Sequence, residues 1–240
     1  MTAAVVPPSG LLNAVGALVG SPMTLTGLHR ICEHLTSLLP VDGVAVTVTT
    51  APWAAGGSGF GVVVGASDPV AWSWEMAQVT AEVGPGVEAT TTGSTVAVDD
   101  LTADLHRWPG LAEQLSGVRV GAVTAVPLRA GQTTIGSLDA YRIDPHRWSV
   151  DDLADIAEGA RVLGLGLAAA PVPSGDLDHP GLLESTQAGV AQATGMVMAA
   201  LDVSSADAVS RLRATAFGQG RAITDVADDV RTHHLSATLP

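Results

Sequence analysis

Four arginines, Arg211, Arg213, Arg221 and Arg231, carry all the positive charge after residue 170. A guanidinium can grip an oxyanion or a base edge with two parallel hydrogen bonds and can stack on a planar ring. Gln192, Thr194 and Gln219 lie in the same segment and could add hydrogen bonds. By residue type alone the arginines are ordinary solvated charges.

Other chemistry-bearing residues are scattered. Asp99-Asp100 with Asp104 and His106 has the residue types of a metal or acid–base cluster. Aspartates in such turns commonly cap nearby backbone, which is the role expected here. His233 and His234 are adjacent, so on a helix they diverge, and interaction with a helix C-terminus accounts for them better than a shared metal does. Three of the five tryptophans, Trp72, Trp74 and Trp108, are the better candidates to line a ligand pocket, although core packing or partner contact is the more common role of an indole. No nucleophile elbow or phosphate-binding glycine loop occurs. No catalytic residue, metal site or cofactor is therefore expected, and the chain reads as a non-enzyme.

The chain of 240 residues has 47% apolar residues and only 15% charged ones, which suits one or two globular domains with a sizeable core. Its formal charge is −13, and all eleven cations are arginine. The first 170 residues hold seven arginines against sixteen acids, and the remainder four against eight. Neither part is a basic module, which by itself argues against nucleic acid, because phosphate binding draws on Lys and Arg. The single cysteine, Cys32, excludes an internal disulfide and suits a reducing cytoplasm. The N-terminus has no basic leader and no apolar run reaches about 18 residues, so neither a signal peptide nor a membrane span is expected.

Hydrophobic periodicity outlines the elements that would hold these residues. Residues 1–21 read as a tail with a short apolar helix. Leu25, Leu28, Ile31, Cys32, Leu35, Leu38 and Leu39 then form a helical stripe ended by Pro40. Cys32 on that stripe reads as a packing thiol, with His29 and His34 flanking it at the surface. Strands are expected at 43–50 and 61–65, a helix at 70–83 stopped by Gly84-Pro85-Gly86, a strand at 95–98, and a helix near 111–115. A hairpin, 118–128 and 133–143, turns at Ala130-Gly131-Gln132. Ser149 opens a long helix to about 170, whose stripe of Val150, Leu153, Ile156, Ala157 and Ala160 would cover the sheet. The order is α+β with an antiparallel sheet.

The proline- and glycine-rich stretch 171–181 has the composition of a hinge. Beyond it, Thr186, Val190, Ala193, Val197 and Leu201 recur at helical spacing, followed by Val209, Leu212 and Ala216, and by Val226, Ala227 and Val230. Breaks at Asp202-Val203 and Gly218-Gln219-Gly220 divide three short antiparallel helices. Ser204 or Ser205 is expected to cap the second, and Thr224 with Asp225 the third.

Residues 22–170 resemble a GAF domain, a small sensor fold. The likeness runs through Val41-Asp42-Gly43-Val44, Ser67-Asp68, Glu75-x-x-Gln78, Gly84-Pro85-Gly86, Val98-Asp99-Asp100-Leu101, Arg107-Trp108-Pro109, Gly117-Val118-Arg119, Val126-Pro127-Leu128, Ile135-Gly136-x-Leu138 and Tyr141-Arg142. Related sequences often carry Gly-Pro-Cys where this chain has Gly84-Pro85-Gly86, which removes a reactive thiol.

Residues 182–240 resemble the ANTAR module, a three-helix RNA-binding unit of bacterial antiterminators. Here the likeness is carried by Ala193-x-Gly195, Met198, the Ser204/Ser205 start, Ala208, Leu212-Arg213, Ala216-Phe217, Ile223 and Val226-Ala227. Thr194 stands where the family commonly has lysine. The two resemblances imply a cytoplasmic, signal-responsive transcription antitermination regulator. It would act as a homodimer on RNA stem-loops and contact them chiefly through Arg213 and Arg221. Its GAF ligand, a small-molecule signal or an upstream signalling protein, is not named by any motif. The alternative is a small-molecule or redox sensor whose C-terminal helices bind protein and not RNA.

Overall fold

The computed structural model describes residues 25–49, 61–169 and 187–233. The expected tail (1–21), the connection at 51–59 and the hinge (171–181) lie outside them. Helix α1 (Leu25–Leu38) buries Leu28, Ile31, Cys32 and Leu35, as the periodicity predicts. Strands β1 (Gly43–Thr49) and β2 (Gly61–Ala66) follow, then helix α2 (Pro69–Ala81). Proline at the first helical position and the Asp68 carboxylate, which accepts from the Val70 and Ala71 N–H groups, start α2.

Gly84-Pro85-Gly86 does not only stop a helix; it starts another, α3 (Pro85–Thr92). Sequence reading misses α3 because three threonines are poor helix formers. Thr91 and Thr92 donate their hydroxyls to the Val87 and Glu88 carbonyls one turn back. Next come β3 (Val96–Val98), the single turn α4 (Leu101–Asp104) with a 3-10 turn at Leu105–Arg107, and α5 (Pro109–Gln114). Strands β4 (Ala122–Ala130) and β5 (Thr133–Arg142) form the expected hairpin. Helix α6 (Val150–Ala169) begins with a reciprocal cap, in which Ser149 Oγ accepts from Asp152 N and Asp152 Oδ2 accepts from Ser149 N. Val150 is a correction to the expected stripe. At the first helical position it is 83% exposed, while Ile156 and Ala160 are buried.

The five strands form one sheet in the order β2-β1-β5-β4-β3, with every neighbouring pair antiparallel. Because side chains alternate along a strand, the sheet has two distinct faces. Val44 and Val46 of β1, Val62 and Val64 of β2, Val126 and Leu128 of β4, and Leu138 and Ala140 of β5 meet α1 and α6 in an aliphatic core. The opposite face presents Thr47, Ser137, Asp139 and Tyr141 towards α2 and α3.

Three helices complete the described chain: α7 (Gln187–Leu201), α8 (Ser205–Gln219) and α9 (Ile223–His233). Ser204 caps α8 by accepting from Asp207 N. Thr224 is no cap, since α9 starts one residue earlier with the Ala222 carbonyl accepting from Asp225 N and Val226 N. Val190, Ala193, Val197, Ala208, Leu212, Ala216, Ile223, Val226, Ala227 and Val230 bury one another, and Val63, Met76 and Val79 join the same cluster. The three helices are therefore packed on the outer side of α2. Leu138→Ala, at a fully buried site in the middle of β5, is expected to cost about 2–5 kcal/mol of unfolding free energy, read from the shift in urea midpoint.

Candidate functional site

Helix α2 is tied at its start to two strands. Tyr141 donates its hydroxyl to Asp68 Oδ1 at 3.0 Å, Ser67 Oγ donates to Asp68 Oδ2 at 2.6 Å, and Val44 N donates to Ser67 Oγ at 2.9 Å. Asp68 thus caps the helix and fastens it to β5 and β1 at once. That anchor sets which α2 residues face the polar side of the sheet.

Those residues are Glu75 and Gln78, both 1% exposed. Thr47 Oγ1 donates to Glu75 Oε2 at 2.7 Å, and Gln78 Nε2 donates to Asp139 Oδ2 at 2.8 Å and to Glu75 Oε1 at 3.3 Å. Trp74 Nε1 donates to Asp139 Oδ2 at 3.2 Å, and Gly86 N donates to Gln78 Oε1 at 2.8 Å. Gly86 is required by close approach, because a Cβ there would lie 2.9 Å from both Asp139 carboxylate oxygens. Beside this network is a cavity of about 20 Å³, walled by Thr47, Thr49, Gly61, Glu75, Gln78, Val79, Gly86, Val87, Thr90 and Ser137. It has room for about one water molecule. A larger guest must move α2 or α3.

Burial holds the Glu75 carboxyl well above the ordinary carboxylate range, and the neighbouring Asp139 carboxyl pushes it further. Asp139 is raised too, again by burial, offset by its Gln78 and Trp74 donors. Protonation of either carboxyl removes the like-charge repulsion between them. Cys32, buried in the aliphatic core, has its thiol pushed up to about 12 by burial and by the Glu75 charge, which leaves it a poor nucleophile.

The tryptophans expected at a pocket do not line this cavity. Trp74 is buried and braces Asp139; Trp108 is buried, donates Nε1 to Glu88 Oε2 at 3.1 Å and has Arg107 over its ring at 4.3 Å. Trp72 is partly buried beside the C-terminal cluster and stacks on His29, with centroids 6.1 Å apart. Asp100 caps α4 through Ala103 N, and Asp99 Oδ1 accepts from Trp148 N, so these aspartates are turn and cap residues. His234 and the side chain of His233 lie outside the described residues.

The expected RNA-contact residues are not gathered on one open face. Arg213 is 6% exposed and forms an ion pair with Glu82, just beyond α2. Arg221 pairs with Asp229 at 2.7 Å and bonds Gln219 at 3.0 Å. Arg231 pairs with Asp228 at 2.7 Å and donates to Gln192 at 2.9 Å. Thr194 is buried and donates its hydroxyl to the Val190 carbonyl at 2.7 Å. Arg211 is half-buried on α8. In the sequence Glu75 and Gln78 stand out only as part of the GAF-like pattern, and Thr47, Ser137 and Asp139 belong to no motif. The usable signal was Ser137-x-Asp139, two polar residues on one face of an otherwise apolar strand.

An antiparallel five-stranded sheet with α1 and α6 on one face, and a small cavity under α2 and α3 on the other, is the layout of a small sensor domain. The family model for the GAF domain matches residues 24–167, and the chain belongs to that family. Among solved structures, it is similar to the GAF domain of an Acinetobacter phosphoenolpyruvate-protein phosphotransferase. The identity is 12%, covering 70% of this chain and 96% of that one, with a TM-score of 0.49. A domain of a putative two-component sensor histidine kinase from Sinorhizobium meliloti 1021 is 17% identical over 62% of this chain and 94% of that one, TM-score 0.49. Free methionine-R-sulfoxide reductase from Neisseria meningitidis is 16% identical over 67% and 87%, TM-score 0.47. Nothing among the curated proteins matches the chain. Among the described residues, no helix is long and apolar enough to cross a membrane.

Both buried carboxyls have raised values in the folded protein, so the folded state holds protons that the unfolded chain releases. Their contribution is fully present below the ordinary carboxylate range and is lost as pH rises towards the raised values. Urea unfolding across pH 4–8 is expected to show that loss in the native protein and a flatter profile in Glu75→Gln, with the variant gaining relative stability at the alkaline end.

Proposed function

We propose that this chain is a signal-responsive regulator in which the GAF domain senses a small molecule at the cavity under α2 and α3, and the helices α7 to α9 deliver the output. The observation that carries this reading is the double burial of α2. Glu75 and Gln78 stand on the cavity wall, while Met76 and Val79 of the same helix lie in the cluster formed by α7, α8 and α9. A guest that widens the cavity by moving α2 shifts the element that the C-terminal helices rest on. With its sole thiol buried and protonated, the chain acts by binding, not by cysteine chemistry.

The ANTAR resemblance supports RNA as the output partner, with a stem-loop bound by a homodimer and transcription termination prevented. Arg213, Arg221 and Arg211 supply the cationic contacts, and Gln192 and Gln219 the neutral ones. RNA loops present unpaired bases to such side chains. A second reading keeps the sensor but makes the partner a protein. It draws on the pairing of Arg213, Arg221 and Arg231 with acidic residues, which leaves little free positive charge in the docked arrangement.

Gel shift of the full chain with paired stem-loop RNA at about 50 mM salt separates the two. The RNA reading expects a complex that weakens as salt rises, and an Arg221→Ala variant whose salt slope is smaller by about one. A full chain that binds no stem-loop at low salt, alone or with candidate small molecules, would leave the protein-partner reading in its place.

A further inference from the structure

The contact between α2 and α8 joins an apolar patch to one ion pair, buried on its arginine side and open on its carboxylate side. Arg213 on α8 has a side chain 7% exposed, while that of its partner Glu82 is 40% exposed. Burial lowers the hold of the guanidinium on its proton and the Glu82 charge offsets this. A guanidinium removed from water requires an anion beside it, and here the sensor domain provides one. Glu82 sits at the end of α2 in a left-handed conformation, φ 55°, where glycine is usual. The chain holds a carboxylate at a backbone position that favours a residue without one. Around the pair, Met76 and Val79 belong to the C-terminal cluster, and the exposed ring of Phe217 on α8 packs over Gly110 at the start of α5.

We propose that the Arg213 face of α8 is the anion-binding surface of the C-terminal helices, and that Glu82 occupies it in the docked state as an internal stand-in for a phosphate of the output partner. The sensor domain and the anionic partner therefore compete for one guanidinium. Widening of the cavity displaces α2, withdraws Glu82 and frees Arg213 together with Phe217. This regulation rests on the reading of an RNA output. It adds that the output is closed by a specific carboxylate and opened by movement of the helix that walls the cavity. It also accounts for an arginine of the RNA-binding resemblance being buried against the sensor.

The test uses the full chain and two variants at one site. Glu82→Gly removes the carboxylate and relieves the left-handed backbone, so the sensor fold is retained; Glu82→Gln removes the charge and keeps the shape. Hydrogen exchange, with no partner present, is expected to quicken by about tenfold in α8 and in the last turn of α2 in both variants, with α1 and α6 unchanged. Unchanged exchange in α8 overturns the latch. Binding is then measured with stem-loop RNA and, separately, with inorganic polyphosphate as a polyanion without bases. Both variants are expected to bind more tightly than the native chain by about tenfold, within the range usual for coupled sites, and Arg213→Ala placed on either variant is expected to abolish the gain. A gain for polyphosphate without RNA binding upholds the competition for Arg213 and removes the RNA reading. Faster exchange with no gain for either polyanion overturns the assignment of this face as an anion site.

Discussion

The burial of α2 on both sides is the constraint from which the rest of the structure follows. A helix on the surface of a sheet normally keeps one polar face for water. Here the seven residues from Trp74 to Thr80 are buried without a break, and Ala71 is buried one turn before them. Such a run is possible because the sheet covers one side of the helix while α5 and α8 pack around the rest. The polar members of the run must then find partners inside the protein, and Thr47, Asp139 and the Gly86 amide supply them. The Asp68 anchor matters for the same reason, since a small rotation of α2 would carry Glu75 out of this network and into an apolar wall.

The two sheet faces divide the work between them. Under α1 and α6 the strands offer valine, leucine and alanine, and this side behaves as a plain aliphatic core that absorbs Cys32 as one more apolar residue. Under α2 and α3 the same strands offer threonine, serine and aspartate beside a space for about one water. The first face holds the larger aliphatic cluster. The second combines hydrogen-bonded carboxyls, a helix that starts on Pro85, and a void, which is where a small guest can change the structure at least cost.

Electrostatics in the C-terminal helices follow from the acidity of the chain. Four arginines among eight acids leave no cation in excess, and Arg213, Arg221 and Arg231 are each within ion-pair distance of a carboxylate. Pairs such as Arg221–Asp229 and Arg231–Asp228 are partly exposed and of small energetic weight, readily exchanged for another anion. The Arg213–Glu82 pair differs, because it bridges the C-terminal helices and the sensor domain and because its guanidinium, unlike those of the other two pairs, is buried.

Sequence alone determined the elements whose signal is local. The stripe of α1, the hairpin of β4 and β5, the Ser149 cap of α6 and the three C-terminal helices are legible because periodicity and capping act over a few residues. The match to the GAF family was legible in short motifs spread along residues 22–170. Helix α3 was lost because its threonines argue against helix, and Val150 was misplaced because a first-turn residue need not face the core. The site depended on tertiary structure for a different reason. Thr47, Glu75, Gln78, Gly86 and Asp139 are up to 92 residues apart, and no pattern within a window links them. Likewise, nothing in the spacing of Arg213 tells that Glu82, far upstream at the end of α2, neutralises it. Sequence specified which groups carry charge; only the packing of α8 on α2 decided which charges face water, because burial and pairing depend on what the rest of the chain brings alongside.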